Sequence, residues 1–282
     1  MLTVSDSDSL RSSLPAGAAH PDRVRWQRAV DTATERGMLV ADLLGSVLSL
    51  AGTRVLDCGC GAGGTSAALR MHGAHVVAFD VHAARLAMTR ARDSALVLCG
   101  GDAAALPFAR GVFDAVVLQD VLEHVEDPAH VLAECARVVR DGGVVYLSTP
   151  NRWSPATVAS DPHFALPLVG VLPRAGLRRV LRRLRPTEAA RRDLPQLLSF
   201  SSLERLAREA GFALALCNRA VAHMLQVHPA RVVWSAAHLA LVGVLHRLGA
   251  MRLVELAASD GRGMRTRWLA PAWYCLLHRE TR

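Results

Sequence analysis

One stretch concentrates residue types that can do chemistry: VLDCGCGAGGTS, residues 55–66. An acid, Asp57, closes an apolar run and is followed by Gly59, Gly61, Gly63 and Gly64. Glycines let a backbone turn tightly and approach a ligand with no Cβ in the way, and the first turn of a following helix offers free N–H groups. Taken literally, Gly59, Gly61 and Gly64 also satisfy the dinucleotide-binding spacing, so the loop alone leaves two nucleotide classes open. The acid tips the balance. Asp57 precedes the glycines, where a carboxylate can accept from an ammonium group but would repel a pyrophosphate. Asp80 ends the next β-rich run, HVVAFD, and is placed to accept from both hydroxyls of a ribose. In GGDAAALPF, Asp102 can accept from the exocyclic amine of an adenine while Ala103 offers a backbone N–H to the ring. Three acids and one glycine loop outline a positively charged adenosyl ligand with an amino-acid tail.

Holding those residues together requires a particular set of elements. From residue 53 to about 151 short β-rich runs alternate with helical stretches, the pattern of βαβ units on a parallel sheet. Strands are expected at 53–58, 75–80, 95–100, 113–119 and 144–149, with helices at 63–72, 82–92 and 128–140, the last stopped by Asp141-Gly142-Gly143. In such sheets ligands bind beyond the carboxyl ends of the strands, where the acids stand. Further on, 201–211 reads as a capped amphipathic helix, 212–220 as a strand, 229–258 as a long helical insertion and 268–279 as a terminal strand.

The stretch from Asp57 to Asn151, about a third of the chain, resembles the class I S-adenosylmethionine-dependent methyltransferases, in particular the ubiquinone and menaquinone biosynthesis branch. The residues that carry the resemblance are Asp57, Gly59, Gly61 and Gly63, the strand end Asp80, the segment GDAAALPF, and LQDVLEHVEDP followed by RVVRDGGVVYLSTPN. It implies an α/β Rossmann-like class I methyltransferase fold, a mostly parallel seven-stranded sheet with helices on both faces and a reversed last strand. A single domain over 21–282 is expected, with a cofactor core at 21–150 and substrate-side insertions at 151–198 and 221–262, after a disordered lead-in at 1–20. The resemblance further implies that Asp57 and the glycines hold the methionine end of S-adenosylmethionine, Asp80 its ribose, Val81 the face of its adenine, and Asp102 with Ala103 the adenine edge. Gln119 would lie beside the sulfonium.

Methyl transfer from a sulfonium is an in-line displacement, so a protein mainly fixes the acceptor on axis. An oxygen nucleophile must also lose its proton. His124, just after the fourth strand, and His163, between prolines in the first insertion, are the candidate bases, each weighed against a purely structural role. His223 and His228 are secondary candidates. Asp120, Glu123 and His124 have i, i+3, i+4 spacing, and related quinone O-methyltransferases carry a similar acid-rich motif where a divalent ion could bind a catecholate. No fourth ligand is identifiable, and no metal set is assigned.

The rest of the composition mostly excludes. All 33 basic residues among 282 are arginine, which removes Schiff-base, P-loop and kinase lysine chemistry. The six cysteines are scattered and suggest neither a zinc site nor a redox pair. No signal peptide is legible, and the apolar run 232–245 is broken by His238 and shorter than a membrane span, so a cytoplasmic protein is expected. Eight arginines against one glutamate give the run 174–192 a net charge of +7 out of a chain total of +8. Leu177, Val180, Leu181 and Leu184 repeat on one helical face of that run. It is a solvated helix packed on the core, a peripheral membrane contact, or an anion patch; nucleic acid is disfavoured because no aromatic residues interleave. The apolar second insertion suggests core cover or a homodimer interface, and a lipophilic small-molecule acceptor. O-methylation is the expected chemistry, with C-methylation, a nicotinamide oxidoreductase and a non-catalytic module retaining the cofactor fold as rivals.

Overall fold

The structure, a computed structural model, describes residues 23–191, 193–233 and 236–280. The lead-in expected at 1–20 lies outside them. Seven strands among the described residues form one sheet: β1 (Arg54–Cys58), β2 (His75–Asp80), β3 (Val97–Gly100), β4 (Phe113–Gln119), β5 (Val139–Pro150), β6 (Phe212–Leu216) and β7 (Ala272–Arg279). Their order is β3-β2-β1-β4-β5-β7-β6. The first five are mutually parallel, and β7 runs antiparallel to both β5 and β6. β6 therefore points the same way as β1 to β5, and all six carry their C-terminal ends to one edge.

Side-chain alternation along each strand builds a core on both faces. Leu56, Val116, Leu118, Val145 and Leu147 pack on one face with Leu132, Phe200 and Trp273. Val55, Ala115, Val117, Val144 and Tyr146 pack on the other with Leu39, Leu43, Leu44 and Leu69. Burying each such side chain stabilises the fold by about 1.5–3 kcal/mol. Trp273 is fully buried, and its indole nitrogen donates to the Thr266 carbonyl at 2.9 Å.

Helices α1 (Arg23–Asp31) and α2 (Ala33–Gly45) precede the sheet; α3 (Gly64–Met71), α4 (Ala83–Arg92) and α5 (Pro128–Val138) link its parallel strands. The first insertion carries α6 (Pro155–Ala159), α7 (Arg174–Leu184) and α8 (Pro186–Ala189), then α9 (Phe200–Glu209) leads into β6. Between β6 and β7 lie α10 (Asn218–Val227), α11 (Pro229–Val232), α12 (Ala236–Arg247) and α13 (Met251–Ala257). The first insertion has its own small core of Phe164, Val169, Leu177, Leu181, Ala189 and Leu194.

Several expected boundaries move, each for a local reason. The helix expected over 128–140 ends at Val138, because β5 begins at Val139, pairs with Phe113, and carries Asp141-Gly142-Gly143 as an irregularity before pairing resumes at Val144. The strand expected over 212–220 stops at Leu216, after which Asn218 opens a helix. The helix expected over 201–211 begins at Phe200 and is capped by Ser199, whose hydroxyl accepts from the Ser202 N–H at 3.2 Å. The long helix over 229–258 is three helices, split at Val233 and around Gly249. The terminal strand begins at Ala272, and Arg265–Leu269 forms a helical turn before it.

Candidate functional site

The glycine loop is shaped by its surroundings. Gly59 has a φ of +84°, its N–H donates to the Phe79 carbonyl at 2.7 Å, and a Cβ there would lie 2.5 Å from Val121 Cγ2. No L-residue fits both the conformation and the space. Gly63, at φ +73°, caps α3 and packs directly on Thr89 of α4. Asp57 at the tip of β1 is buried and accepts from the Ser66 hydroxyl in the first turn of α3 at 2.5 Å. Burial, with the negative charge of Asp80 nearby, pushes its carboxyl up to about 6.

Asp80 at the tip of β2 is also buried, and its two oxygens accept from the N–H groups of Gly61 at 3.0 Å and His82 at 2.9 Å. The carboxylate thereby staples the glycine loop to the second strand and keeps lone pairs to spare. Val81, next in sequence, is 64% exposed, an apolar surface presented to the edge. Asp102 follows β3, stands exposed and accepts from the Ala104 N–H at 2.9 Å, while Ala103 packs on the core. Gln119 ends β4, and its Oε1 accepts from the Thr65 hydroxyl at 2.5 Å. Every residue expected to hold the cofactor thus stands at or just beyond the ends of β1 to β4, along one edge.

His124 and His163 come from segments 39 positions apart and meet: their ring centroids are 4.9 Å apart, edge to face. His124 Nδ1 donates to the Asp193 carbonyl at 3.1 Å, and burial lowers its pKa below the ordinary imidazole value. The ring is neutral, and a proton on Nδ1 leaves Nε2 as the basic nitrogen. Glu123 is fully buried beside them. Its Oε2 accepts from Thr149 at 3.0 Å, its Oε1 has no hydrogen-bond partner and lies 3.9 Å from His163 Nε2. Burial, with Asp120 adding repulsion, pushes this carboxyl up to about 8.

Arginines tie the first insertion to this corner. Arg191 grips the Asp193 carboxylate at 3.0 and 2.8 Å, and Arg174 donates to the carbonyls of Leu194 and Val125. The Gln196 N–H donates to the Glu123 carbonyl at 2.7 Å. Asp193 is held well below the usual carboxylate range by Arg191, working against its burial. On α7, Leu177 and Leu181 are buried in the insertion's own core, so the apolar stripe faces mostly inward, while Arg178, Arg179, Arg182 and Arg183 are exposed.

Sequence reasoning misses one further partner. Arg36 on α2 ion-pairs with Asp120 at 2.6 Å; Asp120, at φ +55°, also accepts from Ser148 at 2.8 Å. A non-glycine residue held left-handed at a strand end marks a position fixed by its surroundings. The contact spans 84 positions, so no local pattern announces it.

Beyond geometry, the methyltransferase domain family matches residues 56–147. A ubiquinone biosynthesis O-methyltransferase of Thiobacillus denitrificans is 34% identical over 205 residues, covering 70% of this chain and 73% of that protein. Another from Aromatoleum aromaticum is 44% identical over 108 residues, 36% of this chain and 46% of that protein, so that match spans about half the relative's length. Among solved structures, a methyltransferase from Thermotoga maritima shares the fold with a TM-score of 0.53 at 15% identity, covering 92% of this chain and 97% of that one. Sheet order, reversed last strand and acid-tipped edge define a Rossmann-like class I fold. The chain belongs to the S-adenosylmethionine-dependent methyltransferase family.

Proposed function

We propose that this protein methylates a hydroxyl of a small, lipophilic acceptor of the quinone or phenol kind, with His124 as the base. The observation that carries the reading is the neutral imidazole of His124, fixed by Asp193 and packed on His163, beside the strand edge where the cofactor residues converge. S-adenosylmethionine supplies an electrophilic methyl group when bound. The residues present fit it: the glycine loop turns through three positive-φ glycines at the tip of β1, Asp80 keeps free lone pairs, and Val81 offers an open apolar face. Asp80 accepts from the ribose, Val81 covers the adenine, and Asp102 with Ala103 reads its edge. Gln119, steadied by Thr65, lies at the methionine side with Gly59, Gly61, Gly63 and the buried Asp57. Arg36 adds a guanidinium for the amino-acid carboxylate, oriented by Asp120.

With the acceptor hydroxyl near His124, the neutral ring takes its proton, and the Asp193 carbonyl stabilises the imidazolium that forms. His163, contributed by the insertion, closes over that ring and orders it. The name of the Thiobacillus relative supports oxygen as the methylated atom. The test is methyl transfer to a panel of catechols and hydroxyquinones with and without prenyl tails, products read by mass spectrometry. O-methyl products from tailed acceptors are expected; exclusive C-methylation overturns the reading.

A divalent ion is a second reading favoured by one observation. Glu123, His124 and His163 each bring one ligand atom, all within 4.8 Å of one another, and Glu123 Oε1 is buried without a hydrogen-bond partner. The set differs from Asp120, Glu123 and His124, because the Asp120 carboxylate is engaged by Arg36 and Ser148. Held there, a divalent cation would acidify an acceptor hydroxyl. Chelation followed by metal titration, read by turnover and by calorimetry, separates this reading from a metal-free base.

A further inference from the structure

The chain has two tyrosines, and the chemistry described so far uses neither. Tyr146 lies on β5 and Tyr274 on β7. Register puts them on one face of the sheet. Val117, Tyr146 and Leu276 form one row across β4, β5 and β7, and Gln119, Ser148 and Tyr274 form the next row toward the cofactor edge. Partners paired across a sheet point to the same side. That side is covered by α2 and α3, because Gln119 accepts from Thr65 of α3 and the Ser148 hydroxyl donates to Asp120, which holds Arg36 of α2. Neighbouring strands lie about 4.8 Å apart, so Tyr274 stands about 10 Å along the sheet from Gln119, room for one substituted ring beyond the residue expected at the sulfonium.

The backbone of Tyr274 is fully engaged and its hydroxyl is not. Its N–H donates to the Asn218 side-chain oxygen at 3.2 Å and its carbonyl accepts from the Cys217 N–H at 2.8 Å, which pins the residue to the start of α10. The side chain is half-buried, and among the described residues nothing hydrogen-bonds its hydroxyl. Tyr146 is fully buried, and its hydroxyl has no hydrogen-bond partner either. A buried hydroxyl left alone is destabilising and calls for something that answers it. Burial pushes the Tyr146 phenol well above its ordinary value; Tyr274 and then Asp120 push the same way, against the Ser148 hydroxyl and Arg36. Burial and then Asp120 push Tyr274 up to about 12, against Arg36. Both groups stay protonated at neutral pH and are donors. Diagonal neighbours across an antiparallel pair lie within reach of aromatic side chains, so Tyr146 can back Tyr274.

An oxygen is what two phenol donors recognise. The amino-acid carboxylate of the cofactor has Arg36, whereas the acceptor arrives over the tips of β4 and β5 with its other ring oxygens unmet. We propose that Tyr274 sets acceptor choice, its hydroxyl donating to a ring oxygen of the acceptor other than the one methylated, with Tyr146 as the positioning residue that donates to the Tyr274 oxygen in turn. Hydrogen bonds in such a chain polarise one another. The inference rests on the reading of an oxygen-bearing aromatic acceptor.

The test compares kcat/KM for a catechol and for the matching phenol, which lacks the second oxygen, in wild type, Tyr274→Phe and Tyr146→Phe. Wild type should prefer the catechol about tenfold or more, Tyr274→Phe should lose most of that preference, and Tyr146→Phe should lose about threefold of it. Both variants keep the ring, so neither melting temperature nor S-adenosylhomocysteine affinity should fall; a purely structural role would move the melting temperature and spare the ratio. Binding of nitrocatechol to the S-adenosylhomocysteine complex, followed by its visible absorbance, needs no methyl transfer, and Tyr274→Phe should weaken it about tenfold. Exclusive C-methylation together with tyrosine-dependent nitrocatechol binding would overturn the hydroxyl reading and support this inference. The absence of a catechol preference in wild type, a preference that Tyr274→Phe retains, or nitrocatechol binding that wild type lacks or the variant leaves unchanged overturns the proposal. So does a loss confined to S-adenosylhomocysteine affinity, which would give the hydroxyl to the cofactor. A Tyr146→Phe ratio equal to wild type overturns the donor chain behind Tyr274.

Discussion

At His124 and Glu123 the environment has moved two ordinary side chains in opposite directions, and both shifts have measurable consequences. Burial disfavours the charged imidazolium, so His124 stays a competent base at lower pH than a free imidazole. The acid limb of kcat/KM against pH should therefore fall below the usual value near 6.5, and His124→Ala should lose about a hundredfold or more in kcat and flatten that limb. An unchanged limb in the variant would assign the base elsewhere. Glu123 behaves conversely. Its folded-state pKa of about 8 lies above the ordinary carboxylate range, so the folded chain binds the extra proton and stability falls as pH rises from the unfolded value through 8. Glu123→Gln keeps the acceptor for Thr149 and removes the charge. In chelator-treated protein its melting temperature should decline less than wild type between pH 5 and 8; a parallel decline would show that Glu123 ionises freely.

The elements that hold these residues were legible in unequal measure. β1, β2 and β4 match expectation closely, because period-two alternation and acidic ends are local signals that a short window contains. So is the glycine loop, whose positive φ values explain its composition. What composition could not show is contact at a distance. The Arg36–Asp120 pair and the His124–His163 meeting depend on how α2 and the first insertion dock, and neither leaves a spacing signature. The expected helix over 229–258 fails differently, since uniform apolarity gives no marker for a break except Gly249. Docking of α2 relies on two glycines. A Cβ on Gly37 would meet the Gly64 carbonyl and the Thr65 Cα, each at 2.7 Å, and one on Gly64 would meet the Ala33 backbone. Gly64→Ala should destabilise the fold by about 1–3 kcal/mol through overpacking. Measured by urea midpoint, that loss should come with weaker S-adenosylhomocysteine binding, because Arg36 is carried away with α2. A stable variant with unaltered affinity would mean α2 has no part in the pocket.

For the molecule as a whole, the family assignment makes a simple demand on ligand choice. S-adenosylhomocysteine at a hundred times its dissociation constant should stabilise the folded chain by about 2.7 kcal/mol, seen as a rise in melting temperature. NADH should produce none; the reverse result would restore the oxidoreductase reading of Gly59, Gly61 and Gly64. The same scale exposes a demand on synthesis. β7 follows the other six described strands in sequence yet lies between β5 and β6, pairing with seven residues of one and five of the other. A ribosome-bound polypeptide stopped before Ala272 has the other six described strands in hand but must keep two flanks open, with Leu147 and Leu214 next to an empty slot. Such flanks invite foreign strands, so chaperone escort during translation, rather than a lack of local structure, should govern how much of this enzyme a cell recovers.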